Sequence, residues 1–194
     1  MKKLAYLALA SASLIAFASP AAAQDVTGTV NITGTVAGKC LVLPGSGSTF
    51  GTTVALGELA QSNGSLATDL ATRFSSIGGA GLDARVVCTT AAPTIAIDAT
   101  EITSATAAVA GYANRIDFTA HVAVDTTTTN DIDFSNSSTV APLAATLIGG
   151  RLANNGGANI TVSASNFATP NVTDLLVAAT DYTGKIVVVI GPGV

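Results

Sequence analysis

Few residues in this chain could do chemistry. Cys40 and Cys88 are its only cysteines and His121 its only histidine, while Asp125, Asp131 and Asp133 crowd one stretch with Asn130 and Asn136. Two thiols without a CxxC pattern, in a chain with a single histidine, lack the spacing of a redox or zinc motif. A Cys40–Cys88 disulfide is the expected role. Closing that loop would stabilise the fold by roughly 4 kcal/mol on the chain-entropy model. A serine–histidine–aspartate arrangement is conceivable because serine is abundant, but no GxSxG elbow occurs. Alternation along residues 115–125 sets His121 opposite the Phe118 face, with Asp117, Thr119 and Asp125 beside it. That is the position of a solvated strand histidine.

The oxygen-rich stretch around Asp131 has ligand types that suit Ca²⁺, but it lacks the central glycine and closing glutamate of an EF-hand. It reads as a solvated acidic loop. Gly45-Ser46-Gly47 and Gly78-Gly79-Ala80-Gly81 fit neither GxGxxG nor a P-loop, and no lysine follows to neutralise phosphate. The sequons at Asn31, Asn63, Asn136, Asn159 and Asn171 are chance matches in a Ser/Thr-rich chain. The expectation is no catalytic residue, no cofactor and no metal, and a protein that is not an enzyme.

The ends and the composition say where such a chain works. Met1-Lys2-Lys3 is a cationic start, residues 4–17 are mostly apolar, Ser19-Pro20 breaks the run, and Ala21-Ala22-Ala23 offers a small-residue cleavage site. Residues 1–23 therefore read as a cleaved signal peptide. The apolar run is shorter than the ~20 residues of a membrane span, and nothing later supplies one, so no direct membrane insertion is expected. Net charge is −4 with only 10% charged residues. The basic residues after the signal (Lys39, Arg73, Arg85, Arg115, Arg151 and Lys185) are scattered singly, which excludes a nucleic-acid footprint. Thr, Ser, Val and Gly replace the missing charges, a composition suited to β-sheet and not to long helices.

Period-two patterning supplies the elements. Strands are expected at residues 40–43, 50–56, 84–89, 94–98, 115–125, 140–148, 159–163 and 182–190. Residues 61–81 read as a loop or weak hairpin turning at Ser62-Asn63-Gly64-Ser65, and the Ala-rich 104–111 as one helical turn. Residues 126–130 and Asn154-Asn155-Gly156-Gly157 read as turns between strands. This spacing predicts one all-β domain, a sandwich or barrel, over residues 38–194. In the last strand Val187 and Val189 are apolar where a half-wet strand would be polar. It is expected to be buried on both faces along part of its length.

The segment directly after the signal peptide alternates most cleanly. Val26, Gly28, Val30, Ile32, Gly34 and Val36 form one face, and Asp25, Thr27, Thr29, Asn31, Thr33 and Thr35 the other. Glycines weaken an internal strand unless another backbone comes close. A free arm over residues 24–37 suits addition to another molecule's sheet edge, and head-to-tail donation of this kind grows filaments.

Val30 to Cys40, Phe50-Gly51, Val86-Val87-Cys88-Thr89 leading to Pro93-Thr94-Ile95-Ala96-Ile97, and the closing Asp181-Tyr182-Thr183-Gly184-Lys185-Ile186-Val187-Val188-Val189-Ile190 resemble the archaic chaperone–usher pilins and the related spore-coat-U-like proteins. The resemblance implies an incomplete immunoglobulin-like β-sandwich, completed by a donor strand from a neighbouring subunit, and a bridge between early strands. It further implies a fimbrial, homopolymeric structural subunit handled by a periplasmic chaperone and an outer-membrane usher, exported to the cell surface. Donor residues would be Val26, Gly28, Val30, Ile32 and Gly34. Tyr182, Ile186, Val188 and Ile190 would line the groove. The added Gly191-Pro192-Gly193-Val194 departs from the family pattern. The competing expectation is a self-contained secreted β-sandwich that binds a coat or surface polymer, with the N-terminal strand in its own sheet.

Overall fold

The computed structural model describes residues 28–43 and 51–193. The expected signal peptide, residues 24–27 with Val26, and residue 50 at the start of an expected strand lie outside the described residues. The chain divides into two units, Met1–Thr35 and Val36–Val194. In the first, residues 28–35 carry no strand or helix and are exposed, with Val30 at 85% and Ile32 at 92%.

The second unit is an all-β sandwich. Its elements are β1 (Cys40–Val42), α1 (Leu70–Gly78), β2 (Asp83–Ala84), β3 (Val86–Cys88), β4 (Thr94–Thr103), β5 (Tyr112–Ala113), β6 (Arg115–Val124), β7 (Ile132–Ser137), β8 (Leu143–Leu147), β9 (Ile160–Ala168), β10 (Leu175–Leu176) and β11 (Thr183–Gly191). β6 is flanked on both sides along residues 119–124, by β7 and by β9, and touches β4 only at Ile116 and Arg115. β4 in turn is flanked by β8 and β11. With their edges taken, β4 and β6 can share a core only face to face, so the chain turns a corner where they meet. Two antiparallel layers result, β8–β4–β11 and β7–β6–β9–β2.

The core follows from the alternation. Ile95, Ile97 and Ala99 of β4 meet Phe118, Ala120, Val122 and Val124 of β6 and Ile160, Val162 and Ala164 of β9, all buried. Each fully buried Val or Ile contributes about 1.5–3 kcal/mol relative to exposure. Two buried asparagines tie non-strand backbone to this core. Asn159 accepts the Val86 N–H and donates to the Val86 and Ala153 carbonyls; Asn136 accepts the Ala99 N–H and donates to the Ala141 carbonyl. Both sequon asparagines are thus inaccessible in the folded domain. The Cys40–Cys88 disulfide is formed and clips β1 to β3 at directly opposed positions.

Several expectations need correction. Residues 51–59 contain no strand, because they find no ladder partner among the described residues. Residues 61–81 are not all loop. Ala60 and Leu66 bridge around a turn with Gly64 at φ 85°, as expected, but α1 follows. Leu70 and Phe74, four apart, turn one apolar face to the body of the domain, and Arg73 pairs with Asp69 at 2.7 Å. Residues 104–111 form no helical turn. They have no apolar period to bury, and the Asn114 amide instead holds the Ser104 and Thr106 carbonyls in an irregular loop. β11 is not buried on both faces: Val187 is 40% and Val189 56% exposed, because this outermost strand has one face uncovered.

Candidate functional site

The second unit carries an open groove of about 1550 Å³. One rim is the outer edge of the sheet. Residues 182–188, of both strand parities, line the groove, as expected of an edge strand that faces it with its backbone. Tyr182, Ile186 and Val188 are among these lining residues. Ile190 is not among them; like Ile186 and Val188 it packs partly buried against the core.

The floor is the sandwich interior itself. Ile102 of β4, Phe118 of β6, and Val162, Ala164 and Phe167 of β9 all open onto the groove, and Phe118 and Phe167 stack with centroids 5.6 Å apart. Segment 51–60 supplies a further stretch of the rim, in which Val54 and Leu56 are partly buried, and residues 176–180 another. The backbone N–H groups of residues 52–57 have no backbone partner among the described residues. Among the described residues, β11 likewise has β4 as its only strand partner.

Local chemistry fixes each rim. Gly184 sits at a bulge between Thr183 and Lys185, where a Cβ would come within 2.7 Å of Ile102 Cγ1. Just before it, Asp181 accepts the Ser104 hydroxyl at 2.6 Å and the Ala105 N–H at 3.0 Å. The Ser104 hydrogen bond, then that of Ala105, holds the Asp181 carboxyl below its usual range. The Tyr182 hydroxyl donates to the Val177 carbonyl at 3.0 Å. Burial, with Asp181 adjacent, pushes its pKa up. The 51–60 stretch is held by α1: Arg73 donates to the Leu56 and Glu58 carbonyls while paired with Asp69. Sequence reasoning missed this brace. The signal was the Asp69/Arg73 spacing on the Leu70/Phe74 helical period.

The other expected or excluded sites resolve as follows. Gly28, Val30, Ile32 and Gly34 lie in the exposed segment, with nothing within 4 Å of the Cβ position of either glycine. Asp125 accepts the Asp131 N–H at 2.9 Å, Asn136 is buried in the core, and Asp133 pairs with His121. Among the described residues no three carboxylate, histidine or cysteine groups are placed to share a metal. His121 is not simply solvated: Nδ1 lies 3.0 Å from Asp133 Oδ2 and Nε2 2.9 Å from Ser165 Oγ. Sequence alternation could place the histidine outward but not choose its cross-strand partners.

Comparison with protein-family models, with curated proteins and with solved structures gave no match. No helix among the described residues is long and apolar enough to cross a membrane.

Proposed function

We propose that this chain is an exported structural subunit of a chaperone–usher type surface fibre, polymerising as the arm of one copy fills the groove of the next. The observation that carries the reading is the groove, with an apolar floor and a lining that includes β11 and residues 51–60, neither of which has a second strand partner among the described residues. Its volume exceeds the ~300–1,000 Å³ of small-molecule pockets, and its few titratable lining residues suit no substrate chemistry. What such a slot accepts is an extended strand: backbone hydrogen bonds to the rims, alternate apolar side chains on the floor. The exposed segment with Val30 and Ile32 on one face has that form. The formed disulfide fits an oxidising compartment, in keeping with cleavage of residues 1–23 on export. An open groove of this kind would aggregate unless covered, which is the task of a periplasmic chaperone before an outer-membrane usher adds the subunit to the fibre.

The test is Ile32→Asp, which would carry a carboxylate into a neighbour's apolar floor at a cost on the order of several kcal/mol. Monomer yield should match the parent, while SDS-resistant ladders of the purified protein should vanish. Thr33→Asp, on the other face of the arm, should assemble normally. Misfolded Ile32→Asp monomer would retire the proposal in favour of a self-contained coat or polymer-binding sandwich.

A further inference from the structure

We propose that Ser165 is an activated nucleophile that accepts small acyl groups, with His121 as its general base and Asp133 orienting that base. The inference is independent of the fibre reading, since neither described cavity includes these residues. His121 stands on β6, the middle of three antiparallel strands. Directly beside it in register are Ser135 on β7 and Ser163 on β9. Its ring reaches instead to the diagonal neighbours, Asp133 on one side and Ser165 on the other, at 3.0 and 2.9 Å.

The carboxylate decides the tautomer. Ionised Asp133 can only accept, so Nδ1 carries the hydrogen, and the Nε2 lone pair faces the Ser165 hydroxyl. Nucleophile, base and orienting carboxylate are then in the order and at the distances that acyl-transfer triads use on unrelated folds, where geometry and not chain order defines them. The strand after Ser165 is bulged. Its register jumps from Ser165 opposite Thr119 to Ala168 opposite Asp117, with Asn166 at φ 54°. Bulges re-aim side chains at the sheet surface, and here the serine is the last residue in regular register before the bend.

In the step itself, Nε2 takes the hydroxyl proton as Oγ attacks an ester carbonyl carbon. The Oγ–carbon bond forms, the bond to the leaving oxygen breaks, and the alcohol departs with the proton from His121. Water reverses the sequence to release the acid. An open sheet face grips no large acyl chain, so the substrate class is small, activated esters and the rate is slow.

The experiment treats folded protein with p-nitrophenyl acetate in mildly alkaline buffer and maps acetylated peptides by mass spectrometry. Ser165 should be acetylated at least about 100-fold faster than Ser135 or Ser163, the lower range for a positioned base. His121→Gln should lower that rate by about the same factor and flatten its dependence on pH. Asp133→Asn should also slow it, and Ser165→Ala should remove the adduct. Thermal melts confirm that each variant is folded, and fibre assembly should be unchanged in all three. Equal labelling of Ser135 or Ser163, no label on Ser165 in the folded parent, or a pH profile unaltered by His121→Gln would each overturn the proposal.

Discussion

β6 and β11 are similar in length and both alternate, yet they have opposite fates. Every second residue of β6 is buried, at 0–4% exposure, because strands flank it on both sides and the second layer covers its inner face. β11 has a strand partner on one side only among the described residues; Ile186, Val188 and Ile190 pack partly buried against the core while Val187 and Val189 are exposed. Side-chain pattern therefore marks a strand, but the number of its neighbours decides whether that strand is core or interface. Sandwich domains rarely leave a long, flat apolar edge uncovered without charges, bulges or a cap to blunt it. β11 carries Lys185 and a bulge at its start only; from Ile186 to Ile190 it is bare aliphatic edge.

The comparison breaks most sharply under a buried charge. Val122→Asp, in the fully enclosed part of β6, would leave an unpaired carboxylate in the core and should abolish folding. The same change at Val189, which is 56% exposed, should shift stability by no more than about 0.5 kcal/mol. Urea unfolding of both variants checks the pair, and equal losses would mean that β11 is core after all. A medium effect is expected at the bulge. Gly184→Val must displace Ile102, including backbone atoms about 3.0 Å from the new Cβ, at a cost of about 1–3 kcal/mol. It should also deform the groove rim, so that fibre assembly falls more than the melting temperature would suggest.

The smallest effect is acid sensitivity at the root of β11. The carboxyl of Asp181 has its pKa lowered from 3.8 in the folded chain, so its contribution to stability is full above the ordinary carboxylate value. That contribution is lost as pH falls through the lowered folded value. Asp181→Asn should therefore differ from the parent near neutral pH and converge with it in strong acid, as read from thermal melts across that range. A constant difference at every pH would show that the Ser104 and Ala105 hydrogen bonds do not depend on the charge.

Strand positions were readable where local pattern and partner agree. The β6 face of Ile116, Phe118, Ala120, Val122 and Val124 needed only period-two alternation. The turn at Gly64 and the one before β9 at Gly156 needed only residues that tolerate positive φ. The disulfide needed only two cysteines and an oxidising compartment. Residues 51–59 defeated the same reasoning because a strand exists only when another strand pairs with it, and pairing is not a local property. α1 was hidden because one short helical period lies among glycines and polar residues that argue for a loop.

By itself, then, the amino-acid sequence determined an all-β chain, the inward face of its central strands and the cysteine pair, since these depend on residue type and spacing alone. Only the tertiary structure decided that 51–60 and β11 line one groove, with Arg73 bracing the first and Gly184 shaping the second. Only it decided that His121 meets Asp133 and Ser165 and not the serines beside it. The physical reason is common to both: edges and diagonals are relations between strands far apart in the chain, set by register and corner geometry that no single segment encodes.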